Sequence, residues 1–321
     1  MDSQTQIPQI PVIDFSSENF KNGSSSWLSM CNQIRYALED YGCFVAKYDR
    51  LSPQLSAKLS SQAKDMFDLP TETKKKNTSD EPFRGYYTRK HEMPPLREGM
   101  GIDNARFVEQ TQKFTNLMWP HGNDQFCEVV NSYAKILGDL NELVLEMVFQ
   151  SYGAGKHYAS FAASISHVLR FLKFKLRDTE SKSIRLPAHK DLSFATIVHQ
   201  IDNPGLEVET NDGTWIAIEP DVSHFVFLAC EGMQVWSNDR VKACKHRVNI
   251  SGDKDRYSMG LFTFNNGVIQ VPEEMVDDEH PLLYNPFDHP EFVRFFTRSV
   301  MTSNDPVKKQ FDNPLKAFCG V

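Results

Sequence analysis

The amino-acid sequence predicts a mainly β protein with flanking helices: a double-stranded β-helix (jelly-roll) core with an α-helical N-terminal region. From about Val168 onward, short apolar runs such as Phe225–Leu228 and Val235–Trp236 read as strands. They are separated by turn signals such as Asn203-Pro204-Gly205 and Asn211-Asp212-Gly213. Before that point, apolar residues recur mainly at helical spacing. Short strands with turns roughly every 8–12 residues are typical of a double-sheet jelly roll.

These patterns divide the chain into three regions. Residues 1–160 form an N-terminal region with supporting helices and a segment on the substrate side. Residues 161–270 form the jelly-roll core, and residues 271–321 form a closing segment with a helix over Pro290–Ser299. We expect the functional site in the core, because the residues with recognisable chemistry are concentrated there.

The N-terminal region combines amphipathic helices with short strands. Ser52 followed by Pro53 is typical of a helix start, because serine caps free N–H groups and proline is tolerated in the first turn. The predicted elements are a strand over Ile10–Phe15, a helix from Trp27 to Gly42, a strand over Cys43–Ala46, a helix from Pro53 to Leu69, and a helix over Ile136–Val148.

A polar segment from Thr71 to Gly101 carries aromatic residues around Gly85, among them Tyr86. Aromatic side chains in a polar, mobile segment either cover a ligand pocket or pack as a small cluster of their own. The sequence leaves both interpretations open. In the first, Tyr86 and the later Phe114 contribute to the wall of a substrate pocket.

Composition indicates a globular protein that acts on a small molecule. Of the 321 residues, 40% are hydrophobic and 24% charged, and the net charge is −7. An acidic chain is a poor match for nucleic acid or an anionic membrane. The six cysteines include no CxxC pair, and neither a signal peptide nor an 18-residue apolar run is visible. We therefore expect a cytoplasmic monomer with reduced thiols.

The candidate metal site consists of His189, Asp191 and His246. Alternate residues of a strand share a face, so His189 and Asp191 are expected to point the same way, between a turn at Arg185–Pro187 and an apolar strand over Leu192–Val198. Two imidazoles and one carboxylate form the facial triad of non-haem Fe(II) oxygenases. A lone histidine is more often structural, and the chain has ten, so the hypothesis depends on the whole set. A zinc-dependent hydrolase using the same residues is an alternative.

A candidate anion site begins ten residues after His246. Arg256 and Ser258 share one strand face, which continues to Phe262 and Phe264. A buried guanidinium needs an anionic partner, and together with a hydroxyl it suits a carboxylate. No protein carboxylate is an obvious partner, which favours a small-molecule carboxylate. An exposed strand arginine after a turn is the simpler alternative, and a zinc hydrolase would leave this pair without a role.

This ordered set resembles the plant 2-oxoglutarate/Fe(II)-dependent dioxygenases. The matching stretches are HxD at 189–191, HRV at 246–248, RxS at 256–258, IPVIDFS at 10–16, YGCF at 41–44, GLEV at 205–208 and VWSNDR at 235–240. The resemblance covers nearly the whole chain. Within the family, the sequence is most similar to the glucosinolate-modifying clade that makes alkenyl and hydroxyalkyl products, and to its relatives in plant specialised metabolism.

The resemblance implies a function and a role for each site residue. Fe(II) would be held by His189, Asp191 and His246, and the distal carboxylate of 2-oxoglutarate by Arg256 and Ser258. O2 would be the co-substrate and ascorbate a helper reductant, with succinate and CO2 released as the substrate is hydroxylated, demethylated, desaturated or cyclised. A metabolite-binding jelly roll that keeps the metal site without turnover is the alternative. The candidates for the substrate wall are Phe262, Phe264, Phe114 and Tyr86.

The chain departs from the family pattern at the 2-oxoglutarate end. Many relatives carry Asn-x-Tyr near Arg170, where this chain has Leu172 and Phe174. Phe174 keeps an aromatic ring at the cofactor position but lacks the hydroxyl, which is worth about 0.5–1.5 kcal/mol if nothing replaces its hydrogen bond. Neither change affects the metal triad, so we still expect activity.

Overall fold

The residues of interest lie on strands of two sheets and on the connections between them. The computed structural model describes residues 9–16, 21–88, 96–175, 182–251, 254–298 and 314–321. Its helices are α1 (Ser25–Tyr41), α2 (Pro53–Asp68), α3 (Thr71–Lys74), α4 (Val108–Met118), α5 (Asp124–Ser151), α6 (Gly155–Ser164), α7 (Glu231–Trp236), α8 (His289–Phe296) and α9 (Pro314–Cys319), with a 3-10 turn over Glu273–Met275. Within the described residues, none of these helices has the length and apolarity needed to cross a membrane.

The strands are short, apart from two long ones in the middle of the larger sheet. They are β1 (Val12–Asp14), β2 (Cys43–Lys47), β3 (Tyr86–Thr88), β4 (Arg97–Asp103), β5 (Ile165–Phe174), β6 (Lys182–His189), β7 (Ala195–Gln200), β8 (Leu206–Glu209), β9 (Trp215–Ala217), β10 (His224–Ala229), β11 (His246–Ser251), β12 (Arg256–Asn265), β13 (Val268–Ile269) and β14 (Phe287–Asp288).

Among the described residues, eight strands form a major sheet in the order β1-β2-β10-β7-β12-β5-β4-β3, and four form a minor sheet in the order β6-β11-β8-β9. The β1–β2 pair is parallel, and the pairs around the site are antiparallel. Strands β13 and β14 form a separate two-stranded sheet. A jelly roll is built from two such antiparallel sheets. The predicted fold class is therefore confirmed.

The outer face of the major sheet is buried beneath helices. Helix α5 contacts α1, α2, α4 and α6, and buried apolar side chains occur along its whole length. The sheet residues Met100 and Phe171 belong to the same apolar core as Phe126 of α5, and the ring centroids of Phe126 and Phe171 are 6.5 Å apart. This packing fixes which face of the sheet is left for the site.

The inner face of the major sheet carries two smaller apolar clusters. The larger one contains Cys43, Val45, Leu206, Val208, Val226 and Leu228 and so joins β2 and β10 to β8 of the minor sheet. The smaller one contains Phe174, Val248 and Ile250 and joins β5 to β11. Because β5 and β11 belong to different sheets, these side chains hold the major sheet to the minor one beside the site.

Most predicted elements of the N-terminal region are confirmed. Helix α1 ends at Gly42, which has φ +67° and donates its N–H to the Leu38 carbonyl. Ser52 caps α2 by accepting a hydrogen bond from the Leu55 N–H. The helix predicted over 136–148 lies within α5.

In the C-terminal segment, the helix predicted over 290–299 corresponds to α8, and residue 299 lies outside the described residues.

Two local predictions are wrong, and one strand is not predicted. Val235–Trp236 is the end of α7, because a two-residue apolar run carries no period that separates strand from helix. Arg185–Pro187 is not a turn: it lies within β6, which pairs with β11. The strand that the sequence does not predict is β4, which contains the end of the polar segment, Arg97–Gly101, and is paired on both sides despite its glycines. Residues 89–95 of that segment lie outside the described residues.

The division into regions 1–160, 161–270 and 271–321 stays a prediction. Strands from the first region do pair directly with strands of the second. In the major sheet β2 pairs with β10, and β4 pairs with β5. The N-terminal region thus contributes strands as well as helices to the structure around the site.

Candidate active site

His189, Asp191 and His246 lie together where the two sheets meet. His189 is the last residue of β6 and His246 the first of β11, and the two are paired across the strands. Oδ1 of Asp191 lies 3.5 Å from Nε2 of His189 and 3.9 Å from Nε2 of His246. Among the described residues, this is the one cluster of three or more such side chains with the spacing of a metal site.

Backbone carbonyls orient both imidazoles. Nδ1 of His189 is 2.9 Å from the Pro187 carbonyl oxygen, and Nδ1 of His246 is 3.2 Å from that of Cys244. A carbonyl oxygen only accepts, so each Nδ1 carries a hydrogen, and in the neutral ring each Nε2 presents its lone pair to the cluster. Burial lowers the pKa of His189, but its hydrogen bond to Asp191 and the charge of that carboxylate together outweigh burial and raise that pKa, so a metal would displace a proton from this Nε2. Such outer hydrogen bonds are typical of metal-binding histidines.

Asp191 is held ionised by its surroundings. Burial raises the pKa of its carboxyl, but the imidazoles of His246 and His189 and the Thr196 hydroxyl outweigh burial and hold that pKa well below its usual range. The Thr196 hydroxyl donates to Oδ2 of Asp191 at 2.8 Å. Burial lowers the pKa of His246 to about 4. One charged carboxylate and a neutral buried imidazole are the protonation states that metal coordination requires.

The donor set therefore fits a divalent metal. Two imidazole nitrogens and one carboxylate oxygen, with the remaining positions open, match the facial arrangement of non-haem Fe(II) sites. His189 and His246 lie at the ends of strands of the minor sheet, whereas Asp191 lies two residues beyond the end of β6 and not within a strand as the alternation predicted. Thr196 of the major sheet braces Asp191, so the geometry of the set depends on both sheets.

Arg256 and Ser258 lie on the inner face of β12, and Arg256 is only 1% exposed. The guanidinium donates from Nη1 to the Ser258 hydroxyl and from Nη2 to Oε1 of Gln200, both at 2.9 Å. It lies 5.6 Å from the ring centroid of Phe174, its cross-strand neighbour. No carboxylate in the described part of the chain forms an ion pair with Arg256. The charge of Asp202 acts on Arg256 without forming an ion pair, so the buried guanidinium is only partly compensated.

Gly205 makes room for this guanidinium. A Cβ on Gly205 would lie 3.0 Å from Nε and 3.1 Å from Cδ of Arg256. Gly205 also has φ +154°, a backbone conformation that side chains disfavour. Gly205 is therefore suited to this position for two reasons: its backbone conformation, and the lack of a side chain where Arg256 approaches.

The strand register assigns the predicted substrate residues to faces. Phe262 and Phe264 lie on the same face of β12 as Ser258, and Phe262 pairs with Thr196. Phe264 lies farther along the strand, stacked on His289 with ring centroids 6.0 Å apart. Both therefore face the side that carries the site, and their contact with substrate stays a prediction.

The prediction that Tyr86 and Phe114 border the substrate is wrong, because both side chains point to the helical side of the major sheet. Tyr86 pairs with Met100 on the outer face, and its hydroxyl donates to Oε1 of Glu98 at 2.6 Å. Phe114 stacks on Phe126 in the core between α4 and α5, with ring centroids 5.6 Å apart. The neighbour of Tyr86, Tyr87, lies on the inner face instead.

Sequence reasoning did not identify Thr196, Gln200 or Arg170 as site residues. All three are polar residues on strands, and the register puts them on the inner face with Ser258. Each of the three shares a face with Ser258 because of the register between neighbouring strands. The sequence could identify them as site residues only if the pairing of β5, β7 and β12 were already known. Leu172, in place of the family's asparagine, also faces inward and contributes only apolar surface.

Comparisons with known proteins agree with this geometry. Residues 165–265 match the model of the 2OG-Fe(II) oxygenase superfamily, and residues 10–121 match an N-terminal model described as non-haem dioxygenase in morphine synthesis. The Arabidopsis thaliana protein named "Probable 2-oxoglutarate-dependent dioxygenase AOP1.2" is 36% identical over 297 residues, covering 90% of this chain and 91% of that protein. The 2-oxoglutarate-dependent dioxygenase AOP3 of the same plant is 26% identical, with 98% of each chain covered.

Solved structures give the same result. The rice dioxygenase for auxin oxidation has a TM-score of 0.77 and 26% identity, covering 90% of this chain and 95% of that one. Its Arabidopsis thaliana counterpart, solved with 2-oxoglutarate, has a TM-score of 0.75 and 26% identity, covering 85% and 100%. These matches confirm the resemblance to the plant 2-oxoglutarate/Fe(II)-dependent dioxygenases stated from the sequence. The chain therefore belongs to the 2-oxoglutarate/Fe(II)-dependent dioxygenases, and it is an oxidoreductase that uses Fe(II) and 2-oxoglutarate.

Proposed function

We propose that this enzyme oxidises a plant specialised metabolite by hydroxylation, demethylation, desaturation or ring closure, converting 2-oxoglutarate and O2 to succinate and CO2. The observation that carries the proposal is the buried Arg256 guanidinium. It has a hydroxyl, an amide and an aromatic ring around it, but no ion-pair partner in the described chain. A dicarboxylate that reaches from the His189–Asp191–His246 cluster to Arg256 supplies the missing negative charge.

Each residue has a distinct task in this proposal. His189, Asp191 and His246 hold Fe(II), while Arg256 and Ser258 bind the distal carboxylate of 2-oxoglutarate. The ring of Phe174 lines the part of the site that holds this carboxylate, and Leu172 adds apolar surface there. The charge-assisted hydrogen bonds to Arg256 therefore form away from competing water. The bound iron and 2-oxoglutarate supply the activation of O2, and Phe262 and Phe264 are proposed to border the substrate.

Two other functions make different predictions. A metabolite-binding jelly roll without turnover would bind Fe(II) and 2-oxoglutarate but release no succinate. A zinc-dependent hydrolase would work with Zn(II) and would not need 2-oxoglutarate. The zinc hydrolase leaves Arg256 without a role beside the triad. The silent binding protein accounts for Arg256 as an oxygenase does, so the release of succinate is what separates those two functions.

The first test is an anaerobic titration of metal-free protein with Fe(II) and then 2-oxoglutarate. We expect a weak visible charge-transfer band that is absent in His189→Ala. Admission of air should then give succinate from 2-oxoglutarate, at a slow rate even without substrate. Absence of both the band and succinate would refute the proposal, and a band without succinate would favour the silent binding protein.

The second test concerns the substrate. The enzyme is incubated with plant metabolite extract, Fe(II), 2-oxoglutarate and ascorbate, and mass spectrometry follows metabolites that change. Hydroxylation adds one oxygen atom, demethylation removes one carbon and two hydrogens, and desaturation or ring closure removes two hydrogens. His189→Ala protein serves as the control, because a change seen with both proteins is not enzymatic.

We also propose that the enzyme is a cytoplasmic monomer. All six cysteines are unpaired and buried, which suits a reducing compartment. The triad and Arg256 come from a single chain, so the site does not need a second copy. Light scattering on the purified protein and fluorescent tagging in plant cells test the two parts of this proposal separately.

A further inference from the structure

A second arginine, Arg170, lies on the inner face of the major sheet. It is on β5 between β4 and β12, paired with Gly101 on one side and Gly260 on the other. Its guanidinium carbon lies 5.2 Å from the ring centroid of Phe262. Because Gly99 has no side chain, Nη2 of Arg170 reaches to 3.4 Å from where a Cβ of Gly99 would be.

The Arg170 guanidinium has no polar partner in the described protein. Its Nε is buried without a hydrogen bond, and no hydrogen bond or ion pair links Arg170 to any other described residue. Burial lowers the pKa of Arg170 to about 10, with the Asp191 charge opposing the shift. The side chain therefore stays positive at neutral pH. The residue as a whole is partly exposed, but its Nε is buried without a partner. A buried donor on a charged group normally has an acceptor, because leaving it unpaired is costly.

The charges of the site do not supply that partner. Asp191 is the main negative charge acting on Arg170, but under the proposed function it is committed to the metal. Under the proposed function, the positive charges of Fe(II) and Arg256 are balanced by Asp191 and the two carboxylates of 2-oxoglutarate. The positive charge of Arg170 then has no negative charge to balance it. Arg97 adds a second positive charge on the same face of the sheet, and its guanidinium donates to the Tyr87 hydroxyl at 2.9 Å.

We propose that Arg170 binds an oxyanion group of the organic substrate, so that the enzyme acts on a small acid carrying a carboxylate or a sulfate. This inference rests on the proposed function and narrows its substrate class. The guanidinium supplies a fork of N–H donors that matches either oxyanion. Phe262 lies beside it and offers an apolar face to the carbon skeleton attached to the anion. Arg97 attracts the same negative charge from the neighbouring strand β4.

The test uses calorimetry on protein loaded with Zn(II) and saturating 2-oxoglutarate, a state in which Arg256 is occupied and no turnover takes place. The probes are phenylacetate, hexanoate and hexyl sulfate, each beside a neutral partner: phenylacetamide, hexanamide and hexanol. We expect the anions to bind at least 10-fold more tightly than their neutral partners. Arg170→Met should remove this preference, weakening anion binding on the order of 10- to 100-fold, and Arg170→Lys should restore part of it.

Arg294→Met is the matched control, because Arg294 pairs with Glu81 on the surface and belongs to no part of the site. It should bind the anions like the wild type. Thermal melting of both variants checks that they fold. The ratio of hexanoate to hexyl sulfate affinity then tells a carboxylate site from a sulfate site.

The outcomes separate this inference from the proposed function. If 2-oxoglutarate does not bind the Zn(II) protein, the proposed function fails. If 2-oxoglutarate binds but anions show no preference over neutral partners, or bind Arg170→Met as tightly as the wild type, only the inference is overturned. It is also overturned if Arg170→Met weakens 2-oxoglutarate instead, because Arg170 then belongs to the cofactor site.

Discussion

Thr196 donates its hydroxyl hydrogen to Oδ2 of Asp191 at 2.8 Å, so a residue of the major sheet holds the carboxylate that faces the two histidines. Ser193 lies 3.0 Å from the same hydroxyl oxygen, and the Cys230 sulfur 3.3 Å. This small polar group is buried. The orientation of Asp191 is therefore set by β7 as well as by its own segment of chain.

Replacing Thr196 with valine should weaken iron binding. The change keeps the shape of the side chain but removes the hydrogen bond that orients Asp191, and loss of such an outer contact typically costs about 10- to 100-fold in metal affinity. Fe(II) titration under anaerobic conditions measures the effect. Thr263→Val is the matched control, because the Thr263 hydroxyl is also buried but donates to Oδ1 of Asn141. Equal losses in both variants would contradict the assigned role.

Replacing Ser258 with alanine should raise the KM for 2-oxoglutarate while leaving kcat nearly unchanged. Ser258 accepts a hydrogen bond from Arg256, and we propose that it also contacts the cofactor. Loss of one hydrogen bond of about 0.5–1.5 kcal/mol corresponds to roughly a 2- to 10-fold rise in KM. Initial rates at varied 2-oxoglutarate check this. Ser166→Ala removes a hydroxyl that bonds to Asn266 and should leave the KM unaltered.

Replacing Gly205 with alanine should weaken 2-oxoglutarate binding through Arg256. The new Cβ meets the guanidinium stem at 3.0 Å and so displaces it. Gly213→Ala separates this effect from backbone strain, because Gly213 has φ +84° and open space around it. We expect both variants to lose stability, but only Gly205→Ala to lose cofactor affinity in calorimetry. Unchanged affinity in Gly205→Ala would show that Arg256 tolerates the shift.

The metal-free protein should lose stability as the pH falls from about 6.5 to about 4. Burial lowers the pKa of His199 and of His167 to about 4, below the ordinary value near 6.5. Between pH 6.5 and pH 4 these histidines bind a proton in the unfolded chain but stay neutral in the folded chain. The free energy of unfolding therefore decreases as the pH is lowered. Each histidine contributes at most roughly 3 kcal/mol to this loss.

Melting temperatures across that pH range measure the effect. His199→Phe keeps a ring against Phe225, the aromatic neighbour of His199. It should flatten the pH dependence by roughly a quarter to a third, because burial also lowers the pKa of His167, His246 and His289, and these histidines remain. His121→Phe, at an exposed position, should leave the slope as it is. A slope that is equally steep in His199→Phe would contradict the assignment.

The sequence predicts the metal site better than it predicts the substrate wall. His189, Asp191 and His246 are residue types whose chemistry shows in their spacing. Tyr86 is different, because one step of register separates it from Tyr87 and puts its ring on the opposite face of the sheet. The sequence of a three-residue strand does not fix that register; its pairing with β4 does.

The missed strand β4 and the missed helix α7 have a similar cause. Glycines at 99 and 101 give β4 a weak strand signal, and its neighbours β3 and β5 supply the stability through pairing on both edges. Helix α7 is six residues long and buried along its full length, so it has no exposed face whose polar residues would show a helical period. In both cases tertiary packing determines what local preference does not.

The pairing of β2 with β10 also has a consequence for folding. Val45 pairs with Val226, so a strand made early in synthesis must wait for a distant one before its hydrogen bonds are complete. Such non-local pairing slows folding. Until it forms, the edge of β10 is an open template for other chains. A version of the protein shortened at its N-terminus would carry that open edge permanently, and it would aggregate even though every residue of the metal triad was present.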